Sequence, residues 1–261
     1  MIKVYNNGES FINDNDSFLS ENKYMTSLFY VDGKLLNDVD KKNFAVKAFN
    51  ESKVLLGIKV EPYNLLLYGD MECLSELLVY LADNEYEFNG IMCNMTLGDE
   101  LIRITNSKYN LSIGMDFMEA KTYTEDSSCL VLVPTSDDLE DIYSMSIDFF
   151  RDCGLPDVPS KDKILNMISS FRIIKENNEA IAMAAYTKDL EDSFRITHVY
   201  TKPSKRGKGY AKMIVNHIKN EILDMDKIAT LNVDINNPIS NHIYQSLGFK
   251  RLFSQGIYLK V

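Results

Sequence analysis

The amino-acid sequence is most informative at His198-Val199-Tyr200-Thr201-Lys202-Pro203-Ser204-Lys205-Arg206-Gly207-Lys208-Gly209-Tyr210-Ala211. Before this stretch, Phe194-Arg195-Ile196-Thr197 has the β-branched and aromatic content of a strand. After it, apolar residues recur three and four positions apart, as on one buried face of a helix, at Ala211, Ile214, Ile218 and Ile222. The first backbone N–H groups of a helix lack intrahelical partners and lie at the positive end of its dipole. A strand, a short basic loop and a helix N-terminus therefore predict a phosphate-binding site.

Two glycines and several cations give this loop its chemistry. Gly207 and Gly209 can adopt backbone conformations closed to other residues, so a ligand can approach the main chain. An ordinary tight turn is the alternative for them. Positive charge surrounds the glycines at Lys202, Lys205, Arg206, Lys208 and Lys212. The loop matches neither the P-loop motif nor the three-glycine dinucleotide fingerprint, so it does not indicate those two kinds of phosphate site.

A second informative stretch, residues 237–249, predicts a short helix. Asn237 is a favourable N-cap, Pro238 suits the first helical position, and Gly248 suits the left-handed residue after the last turn. A polar stripe runs along one face, because its members are three or four residues apart: Asn237, Ser240 or Asn241, and Tyr244. A polar stripe that ends in a tyrosine is unusual for a helix that only packs against a core.

Together the two stretches resemble the GNAT acyltransferases, the large family of acetyl-CoA-dependent N-acetyltransferases. Arg206-x-x-Gly209-x-Ala211 is similar to the family's Arg/Gln-x-x-Gly-x-Gly/Ala signature, and the helix that closes with Gly248-Phe249 is similar to its tyrosine-bearing helix. The resemblance covers roughly residues 129–261. It implies a mixed α/β (α+β) fold, the GNAT acyl-CoA N-acyltransferase fold, in which helices flank a mixed, mostly antiparallel central sheet.

The resemblance also implies a site for acetyl-CoA as co-substrate, without a metal. Main-chain groups of Val199 and Thr201 are expected to bond the pantetheine arm, and residues 206–211 to hold the pyrophosphate. The asparagines of the polar helix could bond the pantetheine amides, with capping alone as the alternative. The implied cofactor-binding residues are Val199, Tyr200, Thr201, Arg206, Gly207, Lys208, Gly209, Tyr210, Ala211, Asn237, Ser240, Asn241 and Tyr244.

Tyr244 is the predicted catalytic residue, in the role of general acid. A phenol titrates at a pKa of about 10, so it stays protonated at neutral pH and can donate a proton to a thiolate as it forms. The alternative is a core tyrosine whose hydroxyl is hydrogen bonded.

The sequence leaves the general base open. In GNAT relatives a glutamate or histidine often lies on the strand before the loop, on the face shared with the main-chain contact at Val199. Strand alternation places Arg195 and Thr197 on that face, and neither is a competent base. His198 points to the other face unless a bulge turns it, and a packed or surface histidine is its alternative. Asp234 is the second candidate, with a solvated or capping carboxylate as its alternative.

Composition limits the partners and the compartment. The chain has 261 residues and a formal net charge of −10, which argues against nucleic acid as a partner. Residues 1–125 hold 11 Lys and Arg against 20 Asp and Glu, which could attract a cationic substrate, with a solvated acidic surface as the alternative.

The cysteines lack metal-ligand spacing; they are Cys73, Cys93, Cys129 and Cys153. We expect a cytoplasmic protein with reduced thiols and no membrane partner, and a homodimer stays open.

The order of predicted elements indicates two similar α/β halves, residues 1–125 and 126–261, with the polar run 124–128 at their boundary. Within the first half, Phe44 to Phe49 is predicted as a helix from its apolar spacing. Tandem proteins with one degenerate half are familiar in the GNAT family. The first half has only Gly69-Asp70-Met71-Glu72 in place of the phosphate loop, and its acidic side chains would repel a pyrophosphate. We expect that half to bind no coenzyme and to shape a substrate cleft or an interface.

The sequence thus predicts an N-acetyltransferase that moves acetyl from acetyl-CoA to a primary amine of a small molecule or peptide. The alternative is a non-catalytic acyl-CoA-binding or regulatory module that kept the pyrophosphate loop without a base. A nucleotide-binding protein of another fold is a third hypothesis, and it requires the tyrosine helix to match by chance. The sequence does not specify the acceptor amine.

Overall fold

Strands and helices alternate along the chain, of which the computed structural model describes residues 1–125, 130–154 and 158–261. By their contacts these residues form two units, one of Met1–Asp116 with Phe253–Val261 and one of Phe117–Leu252. The last segment of the chain therefore belongs with the first unit. The predicted boundary between residues 125 and 126 adjoins residues 126–129, which lie outside the described residues, and it stays a prediction.

The first unit is built from strands and helices on both sides of a sheet. In chain order its elements are β1 (Ile2–Val4), α1 (Gly8–Ser20), α2 (Lys23–Leu35), β2 (Phe44–Phe49), β3 (Val54–Lys59), β4 (Leu65–Gly69), α3 (Leu74–Asp83), β5 (Gly90–Asn94), α4 (Met95–Ile104) and β6 (Tyr109–Ala120), whose last residues lie in the second unit. Strands β1 to β4 pair antiparallel in sequence order, and β4 pairs parallel with β5. Phe11 and Phe29 cover one face, and Leu77 and Leu101 cover the other.

Strand β2 shows that the predicted helix at Phe44 to Phe49 is wrong. Phe44, Val46 and Ala48 pack into the core on one face of the sheet, and Ala45 packs into the core on the other. A strand that is buried on both faces does not alternate apolar with polar residues, so its sequence lacks the period of two that identifies a strand.

The second unit has the same layering. Its elements are α5 (Leu139–Asp152), α6 (Lys161–Asn166), β7 (Phe171–Glu176), β8 (Glu179–Leu190), β9 (Ser193–Thr201), α7 (Tyr210–Asp224), β10 (Ile228–Asp234), α8 (Pro238–Ser246) and β11 (Lys250–Lys260), which ends in the first unit. Strands β7, β8 and β9 pair antiparallel, and β9 pairs parallel with β10. None of the helices in the described ranges is long and apolar enough to cross a membrane.

Two helical layers enclose the sheet of the second unit. Ile214 and Ile218 of α7 pack with Leu247 after α8 on one face, and Ile142 of α5 packs with Ile164 of α6 on the other. The predicted buried stripe of α7 is confirmed for Ile214, Ile218 and Ile222, which are 0% exposed, whereas Ala211 at its start is partly exposed. The predicted mixed α/β class, with mostly antiparallel pairing and flanking helices, is confirmed in each unit.

We expect Gly98→Ala to lower the free energy of unfolding by at least about 1 kcal/mol, because a Cβ there would overpack the core. Gly98 lies on α4, and its Cβ would lie 1.9 Å from the ring of Tyr258, which is 0% exposed. Alanine's higher helix propensity offsets only about 1 kcal/mol of this cost. Urea denaturation measures the change. The exposed Asp99→Ala on the same helix is the control, and an unchanged Gly98→Ala would contradict the close approach of α4 to β11.

Candidate functional site

The two parallel strands of the second unit share a short register. β9 and β10 pair from Ser193 opposite Ile228 to Ile196 opposite Leu231. Beyond this register β9 continues to Thr201 and β10 to Asp234. The main chain of β9 after residue 196 therefore lies outside the described ladder with β10 and is available to a ligand on that side.

A bulge in β9 follows the end of this register. Thr197 lies opposite Ala185 and Tyr200 opposite Met183, so the register with β8 shifts by one residue. His198 occupies the bulge with a φ of 53°, a left-handed conformation that is costly for a residue with a Cβ. The bulge does not turn His198 to the face of Val199: its ring lies on the face of Tyr200, 5.3 Å from Phe149 and 5.5 Å from Phe171, whereas Val199 packs against the α7 side.

The imidazole of His198 is enclosed by aromatic rings. It is 8% exposed, and neither ring nitrogen has a hydrogen-bond partner in the described part of the chain. Burial, with a smaller contribution from Lys163, lowers the pKa of His198 to about 4. His198 is therefore neutral at physiological pH and lies behind the wall of the cavity described next.

A cavity of about 850 Å³ lies beside the free end of β9, between the end of α5, the phosphate loop and the first turns of α7 and α8. Eleven of the thirteen predicted binding residues line it, although they come from two separate stretches of sequence. These residues are Val199, Tyr200, Thr201, Arg206, Gly207, Gly209, Tyr210, Ala211, Asn237, Ser240 and Tyr244. Their assignment as binding residues stays a prediction.

The other two predicted residues, Lys208 and Asn241, do not line this cavity. The Lys208 ammonium lies 3.8 Å from a carboxylate oxygen of Glu176. Asn241 donates its side-chain N–H groups to the carbonyl oxygens of Asp234 and Asn237, each at 2.9 Å, so it braces the start of α8.

Helix α5 contributes a wall of the cavity that the sequence does not predict. Phe149, Asp152 and Cys153 line the cavity at the C-terminal end of this helix. The apolar spacing of α5 predicts which of its faces is buried, but not which end of the sheet the helix reaches. The two predicted candidates for the general base, His198 and Asp234, are not among the lining residues.

The loop presents its main chain to the cavity. Gly207 and Gly209 have φ angles of 80° and 82°, and a Cβ on either would meet no heavy atom within 4 Å. Their requirement for glycine is therefore conformational, and the space around them is open. Gly209 is the N-cap of α7 and provides no side-chain cap, so the first N–H groups of this 15-residue helix remain available beside the cavity.

The cations of the loop are paired with carboxylates. Arg206 lies 2.8 Å from Asp152 of α5, donates to the carbonyl of Thr201 at 3.0 Å and stacks over Tyr200. Lys205 bonds Glu176, and with a hydrogen bond from Tyr210 it lowers the pKa of Glu176 to about 2. An anionic ligand in the loop would therefore compete with Asp152 and Glu176 for these cations.

Tyr244 lies at the inner wall of the same cavity. It is 7% exposed, and burial raises the pKa of its phenol to about 12, with Ser240 opposing the shift and the nearby Cys153 adding to it. The hydroxyl therefore stays protonated at neutral pH and is a proton donor. Asn237 accepts the Ser240 N–H at 3.0 Å, so its side chain does serve as the N-cap of α8.

The first unit has a matching pair of parallel strands without a comparable cavity. β4 and β5 pair from Leu65 opposite Ile91 to Leu66 opposite Met92. The space beside them, lined in part by Phe29 and Met92, is about 20 Å³, enough for about one water. Asp70 is used locally, since it accepts the Val54 N–H at 3.0 Å.

The chain is similar to known proteins in sequence over part of its second unit and in fold. The sequence model of the acetyltransferase (GNAT) family matches residues 139–249. A GNAT acetyltransferase from Colwellia psychrerythraea has a similar structure, with a TM-score of 0.65 over 100% of this chain and 99% of that chain, at 10% identity. A GCN5-related N-acetyltransferase from Sphaerobacter thermophilus gives a TM-score of 0.61 over 84% and 80% of the two chains, at 13% identity. The fold is that of the GNAT acetyltransferases.

A third solved structure has the same fold. The GCN5-related N-acetyltransferase from Kribbella flavida gives a TM-score of 0.54 over 79% of this chain and 86% of that chain, at 12% identity. No curated protein sequence matches the chain. The family-model match, which lies within the second unit, and the shared fold together support the GNAT acetyltransferase family.

We expect the enclosed His198 to make folding stability depend on pH. Its pKa is about 4 in the folded chain and about 6.5 when unfolded. The unfolded chain then binds more protons below pH 6.5, so stability falls as the pH drops from 6.5 towards 4. His198→Asn tolerates a positive φ and does not titrate. Between pH 7 and pH 4.5, the free energy of unfolding of this variant should fall by about 2 kcal/mol less than that of the wild type, as measured by denaturant titrations. Equal losses in the two proteins would contradict the buried, neutral imidazole.

Proposed function

We propose that residues 126–261 form an acetyl-CoA-binding domain that transfers the acetyl group to a primary amine of a small molecule or peptide. One observation carries this proposal: the phosphate loop, the free main chain of β9 and the buried phenol of Tyr244 share one cavity of about 850 Å³. A cavity of this size lies within the range of about 300–1,000 Å³ for small-molecule sites.

The residues present fit a coenzyme A thioester. Left-handed glycines and an uncapped helix N-terminus suit a diphosphate, which accepts hydrogen bonds and carries negative charge. The main chain of Val199 and Thr201 suits an extended pantetheine arm, which can pair with β9 as a strand would. Acetyl-CoA would supply the thioester, and the protein would supply its position and a proton.

Tyr244 would act as the general acid. Its hydroxyl stays protonated because burial raises its pKa to about 12. A neutral phenol in an enclosed cavity can donate its proton to the departing sulfur, so that no thiolate has to accumulate. The acceptor amine would have to lose its proton to a water chain, or arrive deprotonated, because His198 and Asp234 do not line the cavity.

We also propose that the chain is a tandem pair with a degenerate first half. Both units contain two helices, then three antiparallel strands, a helix, a strand parallel to the third, and a further helix. The 20 Å³ space and the local use of Asp70 support a first half that binds no coenzyme.

The placement of the base candidates favours one alternative, a non-catalytic acyl-CoA-binding module. Such a module would bind acetyl-CoA in the same cavity without turnover. An assay of acetyl-CoA-dependent thiol release over a panel of primary amines distinguishes the two functions. Only the transferase releases coenzyme A in response to an amine.

Tyr244→Phe should retain coenzyme binding and lose turnover. Loss of a general acid lowers kcat by about 10²- to 10⁴-fold. Calorimetry should give a dissociation constant for acetyl-CoA close to that of the wild type, because the ring still fills its place in the core. Tyr123→Phe is the matched control, since Tyr123 is 60% exposed. Full turnover in Tyr244→Phe would remove Tyr244 from the mechanism.

Arg206 and Asp152 should have opposite effects on coenzyme affinity. Arg206→Gln removes a cation from the phosphate loop and should weaken acetyl-CoA binding by about tenfold. Asp152→Asn releases Arg206 from its carboxylate and should tighten binding several-fold. Arg151→Gln is the control, because Arg151 pairs with Asp148 instead. The same titration in higher salt should shrink both effects. Weaker binding by Asp152→Asn would show that Asp152 supports the site.

A further inference from the structure

A fully buried lysine lies on α7 in the second unit. Lys219 of α7 is 0% exposed. Its ammonium donates to the hydroxyl of Thr124 at 2.5 Å and to the carbonyl of Leu247 at 3.1 Å. Removing an ammonium from water is costly, so a lysine in this position needs a specific set of acceptors.

The Leu247 carbonyl lies at the C-terminal end of helix α8. Leu247 is the C-cap of α8, and its carbonyl also accepts the Thr124 hydroxyl at 3.3 Å. Thr124 thus accepts from Lys219 and donates to Leu247, which a hydroxyl can do at once. The negative end of the α8 dipole is therefore held by a cation and a hydroxyl.

This end of α8 is the turn that carries Tyr244. Gly248 has a φ of 86°, and the Phe249 N–H donates to the Tyr244 carbonyl at 3.1 Å, which closes the helix in a Schellman motif. The rings of Tyr244 and Phe249 are 6.1 Å apart. The position of Leu247 therefore determines how far the Tyr244 phenol extends into the cavity.

Helix α7 connects this turn to the phosphate loop. It begins after Gly209, in the loop, and Lys219 follows ten residues later, about 15 Å along the axis. A helix is rigid over this length. One element thus sets the distance between the phosphate site and the helix that bears the phenol.

We propose that Lys219 is a positioning residue for Tyr244: through Leu247 it holds the last turn of α8 at a fixed distance from the phosphate loop. This inference rests on the proposed role of Tyr244 as general acid. Lys219 is not among the residues that line the cavity, so we place its effect on the site in its bond to the Leu247 carbonyl.

The test is a double-mutant cycle on turnover. Lys219→Met keeps the side-chain length and removes the charge, and it should lower kcat by about tenfold to a hundredfold, because a displacement of about 1 Å costs about that much. The dissociation constant for acetyl-CoA should stay within twofold of the wild type. In the Tyr244→Phe background, Lys219→Met should lower kcat no further, because its effect passes through the phenol.

A second readout is independent of turnover. Hydrogen exchange of the segment that contains the Phe249 amide should be faster in Lys219→Met, because the last turn of α8 loses its buried cation. Lys188→Met is the matched control, because it makes the same substitution at an exposed lysine of β8. It should leave kcat and this exchange unchanged.

The outcomes separate the inference from the function on which it rests. If Tyr244→Phe lowers kcat and Lys219→Met lowers it independently, so that the losses multiply, the positioning role is overturned and the acid role stands. Wild-type kcat in Lys219→Met overturns the positioning role as well. If Tyr244→Phe has no effect, both fail. If Lys219→Met does not fold, Thr124→Val removes the same hydroxyl bond, and its loss of kcat should likewise vanish in the Tyr244→Phe background.

Discussion

The parallel ladder between β9 and β10 is four residue pairs long, and the second unit is organised around the point where it stops. Main-chain N–H and C=O groups on a strand must be paired, hydrated or bound by a ligand. Here the bulge at His198 follows the end of the ladder, and aromatic rings from α5 and β7 hold the left-handed residue in place. The cost of this strained conformation is met by packing, and the result is a free edge of strand beside a cavity.

Two of the cations that line this cavity, Lys205 and Arg206, are paired with carboxylates. Asp152 and Glu176 engage the cations of the loop, while the helix N-terminus of α7 contributes a dipole that no described side chain caps. The protein thus combines exchangeable ion pairs, which are partly exposed and worth little individually, with fixed backbone donors. Affinity for a diphosphate would then depend mainly on the geometry of the loop, and the ion pairs would set its dependence on salt.

Local motifs in the sequence predict the central residues of the candidate site, whereas the contacts between distant elements cannot be predicted from these motifs. Gly209 and Asn237 are identified because each meets a local backbone requirement, a positive φ and a helix N-cap. Tyr244 is identified by its spacing from Asn237 and by the resemblance of its helix to the GNAT helix. The α5 wall and the ion pair of Asp152 depend on where a helix meets the sheet, which spacing along one helix does not encode. The sequence predicts a helix where β2 lies, because burial on both faces of the sheet removes the alternation that identifies a strand.

The central claim is that one cavity places a diphosphate at the start of α7 and a sulfur at the phenol of Tyr244. A crystal structure of the chain with bound coenzyme A tests it most directly. The account predicts diphosphate oxygens on the N–H groups of residues 207–211 and the coenzyme sulfur within about 3.5 Å of the Tyr244 hydroxyl. Coenzyme bound elsewhere, or a sulfur that points away from Tyr244 while the loop is occupied, would contradict it.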